Sequence, residues 1–199
     1  MILYVNACVR KESRTDELAR FLLQKLGGDY VEVKLSGLDM EPLSEEHLRI
    51  RTELIEKKMF SDSMFDLARQ FGQAEVIVMA APFWDFSFPA ILKIYLENIY
   101  VTGLVSEYGE DGTPRGLCQA KKLYYVTTAG GPYVPDFGYE YIRTLAENCF
   151  GIPETELIKA EMLDVEGADV RKIVEQAKKR ILEDMKMHRS RNASYKKIR

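Results

Sequence analysis

Three short stretches of the chain concentrate residue types that bind anions or flat ligands. The first runs from Ala7 through Cys8, Val9, Arg10, Lys11, Glu12 and Ser13 to Arg14 and Thr15, just ahead of an amphipathic segment. Hydroxyl groups at a helix start suit a phosphate, because free backbone N–H groups and the positive end of the helix dipole face the anion. Arg10, Lys11 and Arg14 add positive charge. Ser13 or Thr15 serves equally well as a plain N-cap, with Asp16 in the first turn. Neither the glycine fingerprint of dinucleotide-binding folds nor a Walker loop is present.

The second stretch is Ala81 to Pro89, where Phe83, Trp84, Phe86 and Phe88 crowd between Pro82 and Pro89, with Asp85 and Ser87 among them. A planar aromatic ligand needs apolar walls and a few backbone polar groups. The same rings would also cap a core or fill a subunit contact. The third stretch is Thr127, Thr128, Ala129, Gly130, Gly131, Pro132 and Tyr133. Paired glycines let the backbone approach a ligand closely, or simply make a tight turn. Tyr133 is a candidate hydrogen-bond donor to a reacting molecule, or a packing residue at its turn. No Ser-His-Asp or Cys-His arrangement accompanies these loops. The two histidines, His47 and His188, stand apart, and Cys8, Cys118 and Cys149 are an odd number without CxxC spacing, so neither a metal site nor a disulfide framework is expected.

Five apolar or alternating runs position these stretches. They are Ile2–Val5, Tyr30–Leu35, Val76–Ala80, Leu123–Val126 and Glu156–Glu161, and helical patterns separate them. Leu18, Ala19, Leu22, Leu23 and Leu26 recur at helical spacing before Gly27. Helical material is expected between Glu45 and Gly72, over Phe88–Ile99 with Pro89 in its first turn, over Phe137–Cys149, and at the carboxyl end around Val170 to Met185. Strands alternating with helices imply a parallel sheet covered on both faces. Runs 1, 3 and 4 are apolar throughout, as central strands are, whereas runs 2 and 5 carry charges, as edges do. The fold class is therefore α/β, a flavodoxin-like three-layer sandwich with a five-stranded parallel sheet of order 2-1-3-4-5. In such a sheet ligands bind beyond the carboxyl ends of the strands at the switch point, which is where the three unusual loops fall. Thr102–Ala120 is an additional hairpin or flap, with turn chemistry at Asp111, Gly112 and Pro114.

The remaining numbers set limits. At 199 residues the chain makes one domain, here 1–187, followed by a basic tail 188–199 expected to be disordered. A net charge of −3 gives no basis for general nucleic-acid binding. No leader precedes the first strand and no apolar run reaches membrane-spanning length, so the expectation is a cytoplasmic protein with no membrane partner.

Taken together, the loops resemble those of the flavodoxin-like NAD(P)H quinone reductase and FMN-dependent NADH-azoreductase family. Ala80, Ala81, Pro82, Phe83, Trp84, Asp85 and Phe86 are similar to its strand-3 signature, and Pro89 to Tyr95 to its next helix. Gly116-Leu117, Lys121-Lys122 and Thr127 to Gly131 follow in matching order, so the likeness spans about residues 1–187. Asp85 stands where that family commonly has Asn, Cys8 where a small hydroxyl residue is frequent, and Ala129 where a polar residue is often found. The resemblance implies a homodimer with FMN sites near the subunit interface. It places the phosphate at Ser13, Arg14 and Thr15 with Cys8 nearby, the isoalloxazine along Pro82, Phe83, Trp84, Asp85 and Phe86, and the ring's polar edge at Thr128, Ala129, Gly130 and Gly131. It also implies ping-pong electron transfer from NADH or NADPH to a quinone, azo compound or similar small acceptor. The contrasting readings are a flavodoxin-type electron carrier and a binding module that has lost flavin. The basic tail has no apolar periodicity with which to order itself. A chain truncated after Met187 is expected to keep its cofactor and turnover, as flavin absorbance and steady-state assays would show.

Overall fold

In the computed structural model, residues 1–196 are described, with side chains as far as Met187. Five parallel strands form the sheet: β1 (Ile2–Asn6), β2 (Tyr30–Lys34), β3 (Val76–Ala80), β6 (Lys122–Thr128) and β7 (Glu154–Ala160), in the order β2-β1-β3-β6-β7. A separate antiparallel ribbon, β4 (Ser106–Tyr108) with β5 (Pro114–Gly116), interrupts the chain between β3 and β6. Counted within the sheet alone, this is the expected 2-1-3-4-5 order, and the 102–120 segment is the expected hairpin.

Alternation along the strands divides the core in two. Leu3, Val5, Ile77, Met79 and Leu123 face α3 (Asp66–Gln73), α4 (Ala90–Ile99) and α5 (Tyr139–Leu145). Tyr4, Val78, Ala80, Val126 and Ile158 face α1 (Arg14–Leu26) and α6 (Val170–Lys196). In-register pairing brings Asn6, Ala80 and Val126 level with one another, so the loops leaving β1, β3 and β6 emerge side by side. The remaining helix, α2 (Glu45–Glu56), buries no residue fully. Arg51 fastens it by donating to the carbonyls of Glu97, at 3.0 Å, and of Tyr100 at the carboxyl end of α4. A guanidinium there also suits the negative end of the helix dipole.

Several elements differ from the sequence reading. Helix α4 begins at Ala90 with Pro89 as its N-cap, because proline's fixed φ and missing N–H belong at a helix start. The helix expected over 137–149 is shorter, ending at Leu145 and running into a π turn, Ala146–Phe150, that Gly151 stops at φ 72°. The last strand starts two residues earlier than expected, at Glu154. Helix α6 continues to Lys196, so the backbone of residues 188–196 is helical where a disordered tail was expected. No proline or glycine interrupts the sequence from Val170 onward, and an existing docked helix propagates without a new nucleation cost. The side chains of 188–196 and all of 197–199 lie outside the described residues. Among the described residues, no helix is long and apolar enough to cross a membrane.

The ribbon docks by backbone contact. A Cβ on Gly116 would stand 1.9 Å from the Gly151 nitrogen and 2.0 Å from the Phe150 carbonyl carbon, so only glycine fits. Gly116→Ala is expected to cost roughly 1–3 kcal/mol through overpacking, seen as a lowered Tm. Gly37→Ala, where a Cβ meets nothing within 4 Å, is the control expected to leave Tm nearly unchanged.

Candidate functional site

A hydrogen-bonded frame holds the loop after β1. Asn6 is fully buried at the end of that strand. Its amide oxygen accepts the Cys8 N–H at 2.9 Å, while its NH2 donates to Asp16 at 3.1 Å and Glu32 at 2.8 Å. Arg20 bridges the same two carboxylates, and Tyr4 donates its hydroxyl to Asp16. Strands β1 and β2 and helix α1 are thus locked together directly beneath the loop. Ser13 caps α1 by accepting the Asp16 N–H at 3.3 Å. Thr15 is buried, and its hydroxyl lies 2.6 Å from that of Thr128 at the end of β6.

The aromatic loop is held by an extension of the sheet. Ala81 and Phe83 donate their N–H groups to the carbonyls of Val126 and Thr128, each at 3.0 Å, which continues the β3–β6 ladder beyond β3. Trp84 and Ser87 then exchange two backbone hydrogen bonds, of 3.0 and 2.8 Å, across Asp85 and Phe86, whose φ values are 50° and 65°. Two successive positive φ angles are the signature of a type I′ turn. Asp and Asn are the side-chain-bearing residues that best tolerate this conformation, so aspartate at 85 preserves the turn that asparagine would make. The Asp85 side chain is exposed, and its neighbour Phe86 is more than half exposed at the tip of the loop.

The loop after β6 is zipped to the loop after β7. Ala129 donates to Ala160 at 2.9 Å, and Met162, Leu163 and Asp164 donate in turn to the carbonyls of Gly131, Ala129 and Gly130 at 3.0, 3.2 and 2.9 Å. This pairing delivers Asp164 onto Gly130. A Cβ on Gly130 would lie 2.4 Å from an Asp164 carboxylate oxygen.

Together the three loops enclose a cleft of about 300 Å³, at the small end of ligand pockets (~300–1,000 Å³). Of the residues expected in a site, Ser13, Arg14 and Thr15 line one end, Pro82, Phe83 and Trp84 form the apolar wall, and Thr128, Ala129 and Gly130 form the third side. The Ala129 N–H is already spent on Ala160.

Four expected residues stand outside the lining, as does Tyr133. Cys8 points inward with Tyr4 and Leu18, near the Ala80 carbonyl, and burial pushes its thiol up to about 11. It backs the cleft as a neutral packing residue. Asp85 and Phe86 sit on the outward turn, and Gly131 uses its carbonyl to hold Met162. Tyr133 is almost fully buried against Phe83, with ring centroids 4.6 Å apart, and donates its hydroxyl to Asp136 at 2.8 Å. Burial and the Asp136 contact both push its phenol above the ordinary range. That hydroxyl is committed to the loop and is not turned toward a ligand.

The lining also includes Val9 and Glu12 from the first stretch, and Leu163 and Asp164, which the sequence did not single out. Arg14 donates to Asp164 at 2.8 Å across the cleft. With Arg10 and Arg14 on one side of the count and Glu12 and Asp164 on the other, the lining is charge-balanced. The donor set fits FMN: hydroxyls and a helix N-terminus for a phosphate, and an aromatic wall for the ring, with Gly130 leaving room for the Asp164 carboxylate.

Comparison with known proteins bears on the fold and the family. A family model described as "Flavodoxin-like fold" matches residues 1–185. The chain is 34% identical over 199 aligned residues to "FMN-dependent NADH:quinone oxidoreductase 2" of Clostridium acetobutylicum, covering 92% of this chain and 98% of the relative. It is 30% identical to the FMN-dependent NADH:quinone oxidoreductase of Lachnoclostridium phytofermentans, over 90% of this chain and 94% of that one. Among solved structures, an azoreductase from Bacillus anthracis superposes with a TM-score of 0.79 at 18% identity, covering 92% and 96% of the two chains. An FMN-dependent NADH-azoreductase from the same species, solved in complex with FMN, gives 0.76 at 20% identity, over 92% and 96%. The structural likenesses establish the fold. With a family match along almost its whole length and identity of 30% or more to relatives of the same size, the chain belongs to the flavodoxin-like family of the FMN-dependent NADH:quinone oxidoreductases.

Proposed function

We propose that the chain is an oxidoreductase that binds FMN in this cleft and passes electrons from NADH to a quinone, an azo compound or a similar small acceptor. The observation that carries the reading is the meeting of a hydroxyl-bearing helix start and an aromatic wall in one cleft, joined by the Thr15–Thr128 contact. Relatives of matching length are named for that cofactor and donor.

FMN supplies the hydride chemistry when bound, and the protein supplies binding, orientation and electrostatics. Ser13, Thr15 and the first-turn N–H groups of α1 hold the phosphate. Pro82, Phe83 and Trp84 would form the apolar wall against which the ring is held. NADH and the acceptor would use the same cleft in turn. Bound FMN would supply hydride acceptance from NADH, releasing NAD⁺, and delivery of the same two electrons to a quinone, which becomes the hydroquinone with one proton from the hydride and one from solvent. Sequential use of one place makes the kinetics ping-pong. The exposed apolar residues Phe86, Val134 and Phe137 favour a second copy of the chain as the partner that completes the enclosure.

Steady-state rates measured over a grid of NADH and quinone concentrations are expected to give parallel double-reciprocal lines. Intersecting lines would contradict shared use of one place, and a lack of turnover with any quinone or azo acceptor would contradict the activity. Asp85→Asn keeps the turn and removes a charge that is exposed. It is expected to change kcat/KM by only a few fold, under roughly 1 kcal/mol. A change of about a hundredfold, near 2.7 kcal/mol, would show that the carboxylate itself acts on the bound cofactor.

A further inference from the structure

The phosphate end of the cleft carries a contact that the proposed function does not use. Arg14, at the first position of α1, reaches across to Asp164 on the loop after β7, 150 positions later in the chain. Asp164 is not a loosely placed surface carboxylate. Its own N–H is bound to Gly130, and the two preceding residues are bound to Gly131 and Ala129. Its carboxylate rests where a side chain on residue 130 would be. The backbone therefore fixes a negative charge beside the cationic side chain nearest the Ser13–Thr15 helix start.

A phosphate entering there meets two effects of one sign. Asp164 already occupies a donor of Arg14, and its charge repels the incoming dianion. The opposing effect, loss of orientation in Arg14, is small, because both partners are substantially exposed and such pairs contribute little. Resting on the reading of the cleft as an FMN site, we propose that Asp164 competes with the cofactor's phosphate for Arg14, so that the Arg14–Asp164 pair is a latch that lowers the cleft's preference for a phosphorylated over an unphosphorylated flavin. The latch opens as the phosphate takes the place of the carboxylate on Arg14.

The test is calorimetric titration of the flavin-stripped chain with FMN and with riboflavin at low ionic strength, where exposed charges act most strongly. The unaltered chain is compared with Asp164→Asn, Arg14→Gln and the double variant. Asp164→Asn is expected to tighten FMN by about three- to tenfold, the range set by one to two exposed charge contacts. The FMN-to-riboflavin affinity ratio rises by the same factor, and the gain shrinks when Arg14 is also replaced. An unchanged ratio overturns the latch. So does equal weakening of both flavins, which would make Asp164 an acceptor for the ribityl hydroxyls. Selective weakening of FMN also overturns it and would mean that Asp164 steadies Arg14 for the phosphate. Failure of the unaltered chain to bind FMN at all would overturn the flavin reading itself and the latch with it.

Discussion

The hydrogen bond between Thr15 and Thr128, 2.6 Å long and largely shielded from water, ties together loops from two strands that do not touch. β1 and β6 are separated by β3, so the contact passes over the end of the intervening strand. Parallel strands supply no such link by themselves, because their loops leave the sheet independently. The bond brings the start of α1 against the end of β6, and Phe83 is tied to the same place by its own N–H bond to the Thr128 carbonyl. One threonine thus joins all three walls, its hydroxyl to the first loop and its carbonyl to the second.

Rigidity beneath the cleft complements that bond. The Asn6, Asp16, Arg20 and Glu32 network leaves the buried Asn6 amide fully engaged and fixes the direction in which the chain leaves β1. Above it, the turn at 84–87 holds two residues with side chains in the left-handed region, at roughly 1–2 kcal/mol each. Phe86 has no local hydrogen bond to offset that cost, as an aspartate or asparagine can. The extended β3–β6 ladder and the Phe83–Tyr133 ring contact hold the loop around it. Strain of this kind persists where the surrounding structure over-determines the backbone, and such places cluster at binding sites.

Much of this was legible in the chain itself. Apolar runs against charged runs separate the central strands from the edges, and the loops after those central strands line one cleft. What escaped the sequence depends on distance and direction. Asp164 lies on the loop of an edge strand, where the switch-point rule places no ligand, and its partner is 150 positions away. Cys8 shares the parity of Tyr4 and Asn6, so strand alternation carried past β1 turns it into the core, although the resemblance set it near the phosphate. Of the two roles the sequence leaves open for Tyr133, donor to a ligand or packing residue at its turn, the structure shows packing. Its burial comes from Phe83 and Asp136, contacts that only the folded loops create. The continuation of α6 beyond Met187 follows from helix propagation, whereas the charge of that segment suggested disorder.

The central claim is that the cleft closed by Thr15 and Thr128 holds FMN. It is tested most directly by reconstituting the purified chain with a mixture of FMN, FAD and riboflavin, removing unbound material, and identifying the retained flavin by mass. The account predicts FMN, at one molecule per chain. Retention of FAD in its place, or of no flavin at all by a folded protein, would contradict it.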